Sequence, residues 1–343
     1  MIIAAFFLLL PLSAPPPAVS GPDAMSAGVQ MESRENPSPS KDAKPSSASL
    51  EIGFTISNGY RRDDLNWNIA GNTDGSNPNI LSELTWRDIE IYQIKLSHSI
   101  LWPRIVYFRA ALDYGWIMDG KNQDSDYFGD NRTLEFSRSN NSTDDDNVKD
   151  ATMAVGYPIR WRFSRNELFT IIPLVGYSYH EQNLTITDGN QTIATPGLTP
   201  DIGPLPGLNS TYDTKWKGPL IGMDVNFRSN RITSLADRIE TYFSIEYHWA
   251  DYDAEADWNL REDLAHPTSF KQDADGHGVI LAVGFNFLLN AHWMLNVSYD
   301  YQTWSTDHGT DRIFRSDGTS VKTRLNEVNW DANTFSLGIG LRF

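Results

Sequence analysis

The stretch Thr334-Phe335-Ser336-Leu337-Gly338-Ile339-Gly340-Leu341-Arg342-Phe343 alternates without a break. Phe335, Leu337, Ile339, Leu341 and Phe343 are large and apolar, while the residues between them are small or polar. In a β-strand successive side chains point to opposite faces, so this segment has one apolar and one hydrophilic face. Such a strand suits either the edge of a soluble sandwich or the wall of a membrane barrel. The rest of the chain has to separate the two.

The same two-faced pattern recurs upstream. Leu50, Ile52, Phe54 and Ile56 oppose Glu51, Gly53, Thr55 and Ser57. Phe108, Ala110, Leu112, Tyr114 and Trp116 oppose Arg109, Ala111, Asp113 and Gly115. Phe243, Ile245, Tyr247 and Trp249 oppose Ser244, Glu246 and His248. The polar faces carry single charges between small residues, which suits a narrow polar lumen better than an open, solvated sheet face. Connections alternate in length. Short turns near Trp102-Pro103, Ser164 to Asn166, Ser229 to Ala236 and Asn290 separate long polar stretches at about 69–79, 118–147, 185–212, 252–275 and 305–326. Short turns at one end and long loops at the other mark a transmembrane β-barrel. The expected fold is all-β, a ten-stranded antiparallel barrel with strands near 49–68, 80–101, 104–118, 147–164, 167–184, 213–228, 237–252, 273–289, 291–304 and 327–343. Several of these exceed the roughly 9–11 residues that cross a bilayer, so their surplus should rise above it as a wall.

Composition agrees. The 343 residues include 28 Lys+Arg against 44 Asp+Glu, a formal charge of −16 that argues against nucleic acid as a partner. The 11 Trp and 14 Tyr suit aromatic belts at membrane interfaces. Without cysteine there is no disulfide, no thiolate metal site and no lipid-modified Cys. Ile2 to Leu12 form an apolar run too short to span a bilayer, and Ala18-Val19-Ser20 before Gly21 fit a cleavage site, so residues 1–20 read as a signal peptide. No Lys or Arg precedes that run, a departure from the usual pattern. Residues 21–47, rich in Pro, Ser, Ala and Lys, read as a disordered periplasmic arm, leaving 48–343 for the barrel. No metal or cofactor is implied. The carboxylates at 144–146, 251–257 and 273–275 solvate the rim or bind divalent cations that bridge to lipopolysaccharide, but no twelve-residue calcium loop is present.

A ten-stranded barrel is narrow enough for side chains to fill. Glu51, Lys95, Arg109, Asp113, Arg160, Arg162, Asp224, Arg228, Glu240, Glu246 and His248 carry both signs on the inner face. They form either a satisfied internal network or a path for protons and small solutes.

The terminal strand ending on Phe343 resembles the closing strand of bacterial outer-membrane barrels, whose last aromatic is read by the barrel-assembly machinery. The loops carry a closer likeness. Asp124-Ser125-Asp126-Tyr127 and Glu255-Ala256-Asp257-Trp258-Asn259 resemble the omptins, ten-stranded outer-membrane proteases with an active site in the extracellular rim. That family has an Asp-x-Asp before an aromatic in its second loop and an Asp-x-His in its fourth, with an acidic residue two positions earlier. Strand count, termini, loop lengths, Ser82 to Trp86 and Gly218 to Gly222 extend the resemblance over the barrel. Gly59 to Trp67 and Asn77 to Leu81 look more like a branch labelled Protochlamydia outer membrane protein.

The resemblance implies Asp124, Asp126 and Asp257 as catalytic positions and Glu255 as a contact for a basic substrate side chain. Asn259 stands where the family has its histidine. Asparagine cannot take and return a proton near neutral pH, so general-base assistance of about 10²–10⁴-fold would be lost. A replacement base is sought in His248, His277 or His266. The expectation is therefore a non-catalytic outer-membrane barrel in an adhesive, structural or narrow-pore role. The alternative is a surface endopeptidase with a displaced histidine. Lipid, lipopolysaccharide and extracellular peptides or host surfaces are the expected partners. Arg160 and Arg162 alternate inward, which argues against their touching lipopolysaccharide.

Overall fold

The computed structural model describes residues 50–164, 166–229 and 236–343. The signal segment, the arm and parts of two short turns lie outside these residues. In chain order the strands are β1 (Glu51–Ile69), β2 (Ser82–Trp102), β3 (Val106–Gly129), β4 (Thr133–Thr143), β5 (Asn147–Gly156), β6 (Ile159–Ser164) and β7 (Glu167–Ile193). Then come β8 (Gly203–Pro204), β9 (Ser210–Ser229), β10 (Arg238–Asp257), β11 (Phe270–Leu288), β12 (Trp293–Thr306), β13 (Gly309–Phe314) and β14 (Ser320–Arg342). They form one antiparallel sheet in which β1 pairs with both β2 and β14, closing a ring of ten staves. One stave is shared by β4, β5 and β6, and β13 extends the stave of β12.

The strands run far into the stretches that the sequence presents as polar loops. β3 continues to Gly129 and turns directly into β4, while β10 reaches Asp257 and β11 resumes at Phe270. Backbone pairing persists there because each stave keeps a partner on both sides, and hydrogen-bonded backbone is cheaper than exposed backbone.

Two chemically inverted zones share one alternation. In the lower zone Phe54, Ile56, Leu96, Leu112, Met153, Val175, Leu337 and Ile339 are exposed on the outer face, bordered by Tyr60, Tyr92, Tyr177, Tyr247 and Trp249 above and by Trp102, Trp161 and Trp293 below. This is the apolar band with aromatic girdles of a membrane-spanning barrel. Its inner face holds Arg109 with Asp224 and Glu246, Lys95 with Asp113, and Arg61 with Asp63 and Asp150. In the upper zone the inner face turns apolar. Leu65, Trp67 and Ile69 follow Arg61 and Asp63 on the same side of β1, all buried.

There Trp67, Trp86, Trp216, Trp304, Trp330, Tyr212 and Tyr252 fill the interior from staves around the ring. Trp86 stacks on Tyr212 at 5.1 Å and Trp304 on Trp330 at 5.5 Å. Gly278 makes the room, since a Cβ there would lie 2.3 Å from the Trp304 ring. The aromatic layer rests on the uppermost ionic layer. The Trp330 indole donates to Asp63 at 2.9 Å, and Arg61 lies 5.4 Å from the Trp330 ring centre. Double pairing of Arg61, with Asp63 and Asp150 both at 2.6 Å, offsets the cost of burying its charge.

Two outcomes follow from this packing. Planar-bilayer recordings of the refolded protein should show no conductance steps, and Trp304→Ala combined with Trp330→Ala should introduce them; steady currents through the wild type would contradict an occluding layer. Asp311 on β13, bonded to Gln272 and Thr323, is pushed up to about 7 by burial. A raised carboxyl stabilises the fold below its unfolded value of 3.8 and loses that contribution as pH climbs through about 7. Urea titrations at pH 5 and pH 8 should therefore show a loss of roughly 2–3 kcal/mol in the wild type that Asp311→Asn lacks.

Candidate functional site

Strand alternation decides where each rim residue points. On β3, Asp124 pairs with buried Leu84 and Asp126 with Ser82, so both carboxylates take the inner face of the wall. Their other neighbours are Ser139 and Ser137 on β4. On β10 the even positions Ala250, Tyr252, Ala254 and Ala256 are buried inward. Glu255 and Asp257 are odd and take the outer face, opposite Asp213 and Thr211 of β9. The two halves of the omptin pattern thus lie on opposite faces of the wall.

The inner half is a covered carboxylate pair. Burial and the neighbouring Asp126 push Asp124 well above the usual carboxylate range, against the positive field of Arg261 and the nearby Trp258. Burial also raises Asp126, opposed by hydrogen bonds from Ser82 and Ser137 and by Arg261. One Asp124 oxygen, Oδ1, is buried without a partner among the described residues. The Trp258 ring packs edge-on against Phe270 at 4.7 Å, which anchors it over the pair. Arg261 is itself held by both oxygens of Asp263 at 2.8 Å. Sequence reasoning missed Trp258 and Arg261 as neighbours of the pair. Two signals were available: Trp258 has the inward parity of β10, and Arg261 is a lone cation in an acidic loop.

The outer half contains a carboxylate and an imidazole. His266 Nδ1 lies 2.5 Å from Asp257 Oδ1, with both side chains partly exposed. Bonding through Nδ1 presents Nε2 as the ring atom that would meet a water or a substrate. Glu255 accepts from Thr268 and pairs with Lys271 at 3.1 Å, and the Thr268 bond holds it below the ordinary glutamate range. Asn259 is occupied in tying two loops together. It accepts from the Asn209 backbone at 2.9 Å and from Ser210 at 3.1 Å, and donates to the Gly207 carbonyl at 2.7 Å.

The other two histidines lie elsewhere. His248 is fully buried beneath the aromatic layer, 2.8 Å from Ser178 Oγ and 3.1 Å from Glu246, with Trp304 4.9 Å away. His277 sits on β11 across from Trp249 and stacks on Tyr247 at 6.3 Å. Neither pairs with Asp257 among the described contacts of the structure, which brings His266 to it instead.

The closed ring of ten staves, the apolar band and the aromatic girdles define a ten-stranded membrane-spanning β-barrel. The chain belongs to the family described as Protochlamydia outer membrane protein (Pom), whose profile matches residues 55–343. Among solved structures it is similar to the outer membrane protease OmpT from Escherichia coli, at 14% identity and a TM-score of 0.65, covering 85% of this chain and 96% of that one. That likeness establishes the fold alone. Fainter ones include OprG from Pseudomonas aeruginosa (12% identity, TM-score 0.31, 85% and 95% covered) and Ail of Yersinia pestis (10% identity, TM-score 0.25, 85% and 99% covered). A search of curated proteins found no match.

The covered pair has a pH signature. Because Asp124 is raised, its contribution is present at low pH and is lost as pH rises toward its folded value. Asp124→Asn, which keeps the shape and cannot ionise, should match the wild type near pH 5 and exceed it in urea midpoint at pH 9. Equal midpoints at both pH values would show that the pair is not buried as described.

Proposed function

We propose that this outer-membrane barrel is non-catalytic, and that it presents a rigid, aromatic-cored sheet wall at the cell surface in a structural or adhesive role. One observation carries the reading: Asp124 and Asp126 face inward under Trp258, while Asp257 faces outward. A hydrolytic water held between the two halves would need both on one surface, within hydrogen-bond reach of the attacked carbonyl. Asn259, committed to Gly207, Asn209 and Ser210, offers no proton transfer in compensation. The aromatic layer favours a wall over a pore.

A second reading rests on the 2.5 Å contact between Asp257 and His266. A carboxylate on Nδ1 orients an imidazole as general base, so the outer face would carry a surface endopeptidase that makes no use of Asp124 and Asp126.

Refolded protein supplied with lipopolysaccharide and a fluorogenic dibasic peptide tests both. No turnover above a denatured control is expected. Cleavage abolished by His266→Ala but not by Asp124→Asn would establish the second reading, and cleavage abolished by either would refute the split of the two halves.

A further inference from the structure

The short-turn end of the lumen carries more cation than its acids can balance. Glu51 and Glu240 are surrounded there by Arg160, Arg228, Arg238 and Arg342. Arg228 bridges both glutamates, at 2.8 Å from Glu51 and 2.6 Å from Glu240. Arg342 does the same, reaching Glu240 at 2.5 Å. The flanking pair is less well served. Arg160 touches Glu51 at 3.2 Å, and Arg238 approaches Glu240 only to 3.7 Å. The Nε of both Arg160 and Arg238 is buried with no acceptor among the described residues. Among the described residues of this cluster, four guanidiniums face two carboxylates, an excess of two positive charges.

A surplus of this kind inside a protein wall is unfavourable unless a counter-anion enters. The space for one exists. A lumen cavity of about 350 Å³ is lined at this end by Glu51, Arg160, Arg228, Glu240 and Arg342. Small ligands occupy pockets of roughly 300–1,000 Å³.

We propose that this mouth, which faces the periplasm in the orientation set by short turns and long loops, binds a phosphomonoester. Such a group carries about −1.5 to −2 charges at neutral pH, matching the surplus. Its oxygens also accept the parallel donors of guanidinium forks, which a spherical anion such as chloride cannot do. Arg160, on the cavity wall, supplies an unused donor, Arg238 beside Glu240 adds positive charge behind the wall, and Glu51 and Glu240 hold Arg228 and Arg342 in place between them. The phosphoryl group belongs either to a soluble periplasmic phosphomonoester or to an exposed phosphatidic-acid headgroup. The aromatic layer above closes the cavity to the cell exterior.

Calorimetry on the refolded full chain in detergent micelles tests this with glycerol 3-phosphate as probe, at constant ionic strength in chloride. A second arm uses nanodiscs of phosphatidylcholine with and without phosphatidic acid. Folding of every variant is checked by heat-modifiable gel mobility. Arg160→Gln with Arg238→Gln should weaken binding at least tenfold, while Glu240→Gln, which adds one net positive charge, should tighten it severalfold. Binding of glycerol 3-phosphate assigns the soluble source, and binding only in phosphatidic-acid nanodiscs assigns the headgroup. No binding beyond chloride in either arm, or affinity unchanged in the folded double variant, overturns the proposal.

Discussion

In hydrocarbon no water is available to satisfy a backbone amide, so a sheet can cross only if its two edges pair with each other. Here that requirement is met by β1 and β14, in register from Gly53 with Arg342 up to Asn68 with Glu327. Register and sidedness are one constraint, because a slip of one residue turns every side chain to the opposite face. Such a slip at this seam would carry Arg61 and Asp63 toward lipid and bring Phe54 and Ile56 into the lumen. The seam therefore fixes the lumen charges as firmly as it fixes the ring.

The same alternation has a harsher consequence at the rim. A motif read along the chain as Asp-x-Asp in one loop and Glu-x-Asp-x-Asn in another contains no statement about faces. The faces are set further down each strand, by which residues must be inside. On β10 that anchor is the buried run from Ser244 to Ala256. On β3 the inward set shifts from odd positions (Gly115, Ile117) to even ones (Gly120, Asn122) where the pairing with β2 is irregular, between Ile117 and Asp119. The irregular pairing here, two register shifts in a row, thus moves Asp124 and Asp126 to the inside, and Asp257 has no counterpart shift.

This explains what the sequence makes legible. Period-two patterning, turn placement and the terminal aromatic strand suffice for an all-β barrel of ten staves, because each is a local property repeated many times. His248 on the inner face is legible for the same reason. The site is not, because it depends on a bulge, on the loop conformation that swings His266 to Asp257, and on Trp258 and Arg261 reaching the carboxylate pair. The extent of the wall is hidden for a different cause. Above the membrane the outer face of each strand is polar, so stretches such as 118–129 look like loops until their inward residues are recognised as a core.

That reversal also locates the bilayer. Below Arg61 a strand is apolar outside and polar inside; from Leu65 upward it is polar outside and apolar inside, with parity unchanged on β1. Below the boundary lipid solvates the outer face and the lumen can stay wet. Above it the exterior is water, so the interior must supply the hydrophobic burial that holds the wall upright. Trp and Tyr rings from staves around the ring do this together with buried aliphatic residues such as Leu65, Leu84 and Leu325. Occlusion of the lumen is then a by-product of building a tall wall on a narrow barrel. The carboxylate pair placed inside that upper core is held in the positive field of Arg261, with Trp258 beside Asp124. The fourth loop is accordingly tied to the second hairpin by the attraction between Arg261 and the two carboxylates.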